Sequence, residues 1–411
     1  MRPDPIGIES INLYGGSLFL RQENLALARG KDPERVVSDY LIERRSLNPP
    51  FEDTVTMAAN AARPLIDSET AEEIGLLVVG TEGGLDFGKP ISTLIHEALG
   101  LPSSVPNFEV KHACYSGVAA LDTALNWVAA GRAQGKKALV IATDFSRRHF
   151  GEDHEFVLGG AAVALLVSDA PRVLAYDLTR RGTWTANVYD TWRPTATAEV
   201  GNNQVSLFTY LDALEGAFSD FAGGDPEAFD FQGTFARSVY HMPFPAMAFQ
   251  AHRTLWNLTG GRGRAELKAD FDRRVAPSLT YARELGSQYG SSNFVGLLGL
   301  IDSDPSLEAG DSVGFFAYGS GAIGEFYSGT VCEGARDEVG RMEIARHLSA
   351  RREVSHAEYE EVETLREASI ERSDYVPDFD ILDGLYRDHY HDRDRLVLES
   401  VRDYARTYRW A

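Results

Sequence analysis

The chain has 411 residues, 44% apolar and 25% charged, an ordinary balance for a soluble globular protein and a length that calls for two domains or two tightly packed halves. Forty basic against 61 acidic side chains give a formal charge of −21, which argues against generic nucleic-acid binding, because that needs a basic footprint. Two distant cysteines, Cys114 and Cys332, exclude a disulfide framework and point to a reducing compartment. No apolar stretch follows residues 1–5, and the apolar runs at 75–80 and 161–167 are too short to span a bilayer, so a cytoplasmic protein is expected.

Short apolar runs alternate with helical stretches, the pattern of an α/β protein. Residues 6–14 read as a strand, 57–67 as a helix broken at Pro64, and 74–80 as a buried strand ending at Thr81-Glu82-Gly83-Gly84. A short strand at 108–111 leads into an alanine-rich helix at 117–130. Strands follow at 138–143, 162–168 and 173–178. A second half starts near position 170, giving expected units of 1–170 and 171–411. It holds helices at 207–222 and 291–301, a strand ending at 238–241, and a helix opening at Pro243. Strands 312–318 and 323–331 pair around Gly319-Ser320-Gly321, and the charged tail from Asp337 reads as a helical, peripheral cover.

Cys114 stands after a strand and at the head of a helix, where unpaired N–H groups should lower a thiol pKa; a small buried packing residue is the equal alternative. Glu82 ends a strand, where active sites of α/β folds gather, and a carboxylate among apolar walls can act as general acid and base. His241, between a strand and Pro243, can donate to a substrate carbonyl. Taken alone, a solvated turn glutamate and a satisfied core histidine are the commoner readings. Ser320 in its glycine turn can offer an N–H to an oxyanion, or simply form a hairpin. No close-spaced set of metal ligands occurs. His389-Tyr390-His391-Asp392 reads as a solvated helix face, and Gly260-Gly261-Arg262-Gly263 lacks the lysine of a phosphate loop.

Taken in order, Glu82-Gly83 with Leu85-Asp86-Phe87-Gly88-Lys89, Ala113-Cys114-Tyr115-Ser116-Gly117, Ile141-Ala142-Thr143-Asp144 and the run from Gly160 to Leu166 resemble the 3-hydroxy-3-methylglutaryl synthase family. Tyr189-Asp190-Thr191-Trp192-Arg193-Pro194, His241-Met242-Pro243-Phe244, Ala317-Tyr318-Gly319-Ser320-Gly321 and Glu325-Phe326-Tyr327-Ser328-Gly329 continue the likeness to the end of the second half. The resemblance is closest to the acyl-carrier-protein-dependent branch that installs β-branches on polyketides. It implies a thiolase fold: two similar mixed-sheet halves in a layered αβαβα arrangement, with a helical C-terminal extension. It implies a homodimer that needs no metal, nicotinamide or nucleotide, its substrates riding on phosphopantetheine thioesters.

On this likeness Cys114 carries the acetyl group, Glu82 is the acid/base and His241 positions the second substrate. The N–H groups of Cys114 and Ser320 form the oxyanion hole, and Tyr115, Asp190, Ser287 and Gly319 belong to the substrate site. The sequence departs from the family in having Ser287 where asparagine is usual, Leu158 where a small residue is usual, and a short segment at 147–159. The helix after His241 has Ala246 and Gln250 where coenzyme A-dependent members carry lysines. Arg253, Arg262, Arg264, Lys268, Arg273 and Arg274 form a candidate docking patch for donor and acceptor carrier proteins, with Arg147 and Arg148 as additions. A solvated helix face paired with Glu266, Asp270 and Asp272 is the competing reading. Rival functions are a primary-metabolism hydroxymethylglutaryl-CoA synthase, a ketosynthase-like acyltransferase, and a non-enzymatic carrier-protein partner.

Overall fold

The computed structural model describes residues 5–411, so residues 1–4 of the N-terminal segment lie outside the described residues. Its central feature is a ten-stranded mixed sheet. In chain order the strands are β1 (Gly7–Tyr14), β2 (Ile74–Gly80), β3 (Asn107–Val110), β4 (Lys137–Phe145), β5 (Gly160–Ser168), β6 (Leu174–Tyr176), β7 (Gly182–Thr185), β8 (Arg237–Tyr240), β9 (Ser312–Gly319) and β10 (Ile323–Val331). Across the sheet they run β8-β9-β10-β6-β1-β5-β4-β2-β3, with β7 added on β10. The pairing pattern repeats about the β1–β6 junction. On one side β2 is parallel to β4, which is antiparallel to β5, and β5 to β1. On the other, β8 is parallel to β9, which is antiparallel to β10, and β10 to β6.

Alternation along β2 and β4 explains why both are continuous apolar runs. Leu77, Val79, Leu139 and Ile141 enter one core, and Val78, Val140 and Ala142 enter the other. A strand buried on both faces has no polar side to show, so it reads as unbroken hydrophobicity. Helix α1 (Thr54–Ala62) covers the first face, all nine of its residues buried. Its Asp53 side chain caps the N–H groups of Val55 and Thr56, and the chain passes into a 3-10 turn at Pro64, the expected break. Helix α2 (Ser116–Ala129) packs on the second face, against β2 and β4. Helices α3 (Asn203–Phe221), α4 (Met247–Leu258), α5 (Arg264–Arg274) and α6 (Ser292–Ser303) follow. α6 packs against β8 and β9, with Phe294, Leu297, Leu298 and Ile301 in the core shared with α2.

Two expectations change. Pro243 does not open a helix; α4 begins at Met247, four residues later, after a turn. The tail contains the expected helices, including His356–Ala368, but ends in a hairpin, Leu396–Arg402 with Ala405–Trp410. It is also more than a cover. Arg366 is buried and donates to the Ser146 carbonyl at 2.8 Å, and the Tyr359 hydroxyl donates to Glu155 Oε1 at 2.9 Å. The tail therefore braces the loop between β4 and β5. No helix among the described residues is long and apolar enough to cross a membrane.

Candidate active site

Parallel strands place the site. β2 and β3 run side by side with Gly80 opposite Val110, so the turns beyond their C-terminal ends emerge together. Glu82 lies just past β2, and Cys114 lies between β3 and α2. The Cys114 thiol stands 3.8 Å from Glu82 Oε2. Ala113, just before it, has φ +43°, a left-handed conformation that swings the chain from strand to helix at a cost of roughly 1–3 kcal/mol for a residue with a side chain. Gly80 lets that turn approach, because a Cβ there would sit 2.4 Å from the Ser116 carbonyl oxygen.

β4 flanks β2 on its other side, with Gly80 opposite Ala142, and so delivers Asp144 beneath the Glu82 turn. Asp144 Oδ1 accepts hydrogen bonds from the Thr81 hydroxyl at 2.8 Å and from the N–H groups of Glu82 at 2.9 Å and Gly83 at 3.0 Å. The second pair of parallel strands, β8 and β9, puts Tyr240 opposite Phe316. His241 follows the first and Ser320 the second, and both face the same space. Glu82, Cys114, His241, Ser287, Tyr318 and Ser320 line one cavity of about 860 Å³.

Burial sets the charge states. It pushes the Cys114 thiol well above its ordinary value, and the Glu82 and Asp144 carboxylates push it further. This reverses the expected helix-head effect: α2 starts two residues later, at Ser116, and buried carboxylates surround the sulfur instead. The resting group is a thiol, with a carboxylate placed to receive its proton. Burial also raises Glu82, against the pull of Arg193, and raises Asp144 to about 7 with help from Glu82. His241 is 1% exposed, and burial lowers its pKa to about 3. Its ring is neutral at physiological pH, and neither ring nitrogen has a hydrogen-bond partner in the protein. A buried, unpartnered imidazole facing a cavity is suited to a polar substrate atom.

Arg193 is the residue that sequence reasoning passed over. Its Nη2 is 3.1 Å from Glu82 Oε1, its Nε donates to Glu199 Oε2 at 2.6 Å, and its guanidinium lies 5.4 Å from the centre of the Tyr289 ring. Burial opposes ionisation of Glu199, but the His149 and Arg193 side chains outweigh it and lower the carboxyl to about 2. The fold also brings Glu199 to His149 and His154, which lie five residues apart in the sequence.

Three residues expected at the substrate act from behind it. The Tyr115 ring turns into the core, where its hydroxyl donates to Glu325. Asp190 is fully buried and accepts from the Tyr318 hydroxyl at 2.6 Å and the Gly321 N–H at 2.9 Å, so it fixes the Ser320 turn. Gly319 allows that turn to approach the nucleophile loop, since a Cβ there would lie 2.6 Å from the His112 carbonyl oxygen. The basic patch is smaller than expected. Arg274 is 4% exposed and ties Asp270 Oδ1 at 2.8 Å to the carbonyls of Gln232 and Phe235. Arg147 faces inward, where burial and then Arg193 lower it to about 10. Arg273 pairs with Asp270 and Lys268 with Asp272, while Arg148, Arg253, Arg262 and Arg264 are exposed.

Comparison with known proteins agrees with this architecture. Family models described as the N-terminal and C-terminal parts of hydroxymethylglutaryl-coenzyme A synthase match residues 2–171 and 249–407. The polyketide biosynthesis 3-hydroxy-3-methylglutaryl-ACP synthase PksG of Bacillus subtilis is 35% identical over 420 residues, covering 98% of this chain and 99% of the relative. The hydroxymethylglutaryl-CoA synthase of Enterococcus faecalis is 32% identical over 356 residues, covering 86% and 90%. The crystal structure of the curacin biosynthetic pathway HMG synthase superposes with a TM-score of 0.93 at 34% identity, covering 99% of this chain and 100% of that one. That synthase has also been solved in complex with its donor ACP. The layered mixed sheet and these matches define a thiolase-fold, acyl-transferring enzyme that forms carbon–carbon bonds. The chain belongs to the hydroxymethylglutaryl-CoA synthase family.

Proposed function

We propose that the enzyme joins an acetyl unit, loaded on Cys114, to the β-ketone of an acyl chain held on a carrier protein. The convergence of Cys114, Glu82 and His241 on one cavity carries this reading. Glu82 takes the thiol proton as the sulfur attacks the acetyl carbonyl of the donor thioester, and passes it to the departing donor sulfur, which leaves as a thiol and returns Glu82 to its carboxylate form. The N–H groups of Cys114 and Ser320 hold the oxyanion. Glu82 next removes a proton from the acetyl methyl. The resulting carbon attacks the acceptor's ketone, whose oxygen neutral His241 positions, and the alkoxide is protonated from Glu82. Water then cleaves the Cys114 thioester, leaving a free carboxylate on a 3-hydroxy-3-methylglutaryl-type acceptor thioester and a free thiol. No cofactor enters these steps.

We infer that the donor and acceptor ride on carrier proteins rather than on free coenzyme A. α4, whose Met247 lines the cavity, offers no lysine for a nucleotide phosphate, whereas exposed Arg253, Arg262 and Arg264 suit an acidic carrier-protein helix. The names of the PksG and curacin relatives support the same choice. We place the enzyme in the cytoplasm as a homodimer. The test compares acetyl transfer to Cys114 from acetyl-carrier protein and from acetyl-coenzyme A at low and high salt. Faster transfer from the carrier protein, slowed by salt, is expected, because exposed charges are screened beyond roughly 10 Å at 0.1 M. Equal transfer from both donors, without a salt effect, would favour a coenzyme A-dependent synthase.

A further inference from the structure

We propose that His149, His154 and Glu199 form a binding site for a divalent transition-metal ion in the wall of the substrate cavity. One ligand atom from each of the three lies within 4.8 Å of the others, and all three residues line the cavity. His149 Nε2 stands 3.5 Å from Glu199 Oε1, buried and without a hydrogen-bond partner. Glu152 supplies an independent sign. Its Oε2 lies 3.4 Å from His149 Nδ1 and 3.5 Å from His154 Nδ1. A carboxylate on one ring nitrogen is the usual way in which an imidazole is oriented to offer its other nitrogen to a metal.

The donor set selects the ion. Two imidazoles and a carboxylate suit Zn²⁺, Co²⁺ or Ni²⁺, whereas Mg²⁺ and Ca²⁺ prefer oxygen ligands. The His149 and His154 rings have centroids 4.0 Å apart, close enough for both to reach one ion. Ligand bonds of roughly 2.0–2.2 Å require the side chains to close inward slightly. His154 is half-buried and the loop between β4 and β5 can supply that adjustment. Glu199 also grips Arg193, which pairs with Glu82. An ion at Glu199 is therefore coupled to the acid/base group, although no step of the reaction passes through it.

The thiol of Cys114 is a competing soft ligand, so binding is measured on the full-length Cys114→Ser protein. Co²⁺ titration should give visible d–d bands saturating at one ion per chain, and calorimetry with Zn²⁺ should show the same stoichiometry. His154→Ala should abolish the bands, and Glu152→Gln should weaken affinity about 10–100-fold. His154→Gln carries the same expectation as His154→Ala if the smaller side chain disturbs folding. In wild type with Cys114 intact, Zn²⁺ should slow condensation more than it slows His154→Ala, each relative to its own metal-free rate. Absence of saturable Co²⁺ bands, unchanged affinity in the His154 variants, or equal Zn²⁺ inhibition of both proteins would overturn the site.

Discussion

Replacing Arg193 by methionine tests whether this guanidinium tunes Glu82. The change removes a cation 3.1 Å from Glu82 Oε1 and 2.6 Å from Glu199 Oε2. At an effective dielectric of about 20 the Arg193–Glu82 attraction alone is about 5 kcal/mol. Glu199 already neutralises part of that charge, so the net effect is smaller, in the range of about 1–3 pK units seen for a carboxylate beside an arginine. The sign follows directly. Arg193 favours the charged form of Glu82, so its loss raises the Glu82 pKa from a value already lifted by burial. Glu82 must be ionised to accept the methyl proton, and the acid limb of the condensation profile should therefore move to higher pH by about 1–3 units. Below that limb the rate should fall roughly 10–1000-fold and recover as pH rises, while Arg193→Lys should keep the limb nearer its original place. The assay is single-turnover condensation on pre-acetylated enzyme, followed by mass spectrometry across pH. A rate loss with the acid limb unmoved would refute the electrostatic argument, and would leave Arg193 as a packing group for Tyr289.

Cys114→Ala should show no acetyl group by intact mass after incubation with an acetyl donor, where wild type shows one; acetylation of the variant would remove Cys114 from the mechanism. Glu82→Gln should condense on the order of 10²–10⁴-fold more slowly, while a near wild-type rate would refute its acid/base role. Ser287→Asn should raise the condensation rate or leave it unchanged, since an added transition-state donor is worth up to ~3 kcal/mol; a large drop would show a pocket with its own geometry. Arg274→Ala should lower stability by about 1–3 kcal/mol in chemical denaturation, because the Gln232 and Phe235 carbonyls lose this donor while Asp270 keeps Arg273 and His252, whereas exposed Arg253→Glu should leave stability near wild type and weaken only carrier-protein transfer.

Much of the site is legible because strand order converts it into sequence. Glu82, Cys114 and His241 all follow parallel strands, and the rule that active groups gather beyond such ends finds each of them. The same rule, applied to the strand ending near Thr143, points at Asp144, which the register of β4 against β2 then places under Glu82. Arg193 carries no comparable signal. It sits near the two-residue strand Thr191–Trp192, and its role depends on Glu82 and Glu199 arriving from elsewhere in the fold. Glu199 is hidden for the same reason, since only the fold brings it to His149 and His154. The thiol pKa departs from expectation for another reason: a helix terminus carries no information about the burial and the carboxylates that the tertiary fold brings to the sulfur.

Two of the departures that the family resemblance implies, Leu158 and Ser287, lie far apart in sequence and meet in space. The Ser287 N–H donates to the Val157 carbonyl at 2.9 Å, and a Cβ on Gly286 would lie 2.1 Å from the Leu158 carbonyl oxygen, so segments 157–159 and 286–287 form one wall. Val157, Leu158 and Ser287 all line the cavity beside Cys114 and His241. Leucine in place of a small residue adds apolar bulk on one side of that wall, and serine in place of asparagine withdraws bulk on the other. The cavity is thus displaced rather than simply narrowed. Because the backbones already touch, neither side can move to absorb a change in its partner, and the substitutions should be non-additive. Leu158→Ala alone should slow condensation by opening a pocket that the native acceptor does not fill, whereas Ser287→Asn, neutral or favourable alone, adds bulk to the same wall. The double variant should recover condensation beyond the product of the two single effects. Strictly multiplicative rates would mean that the two residues bound different parts of the cavity, and that the wall is not a unit of specificity.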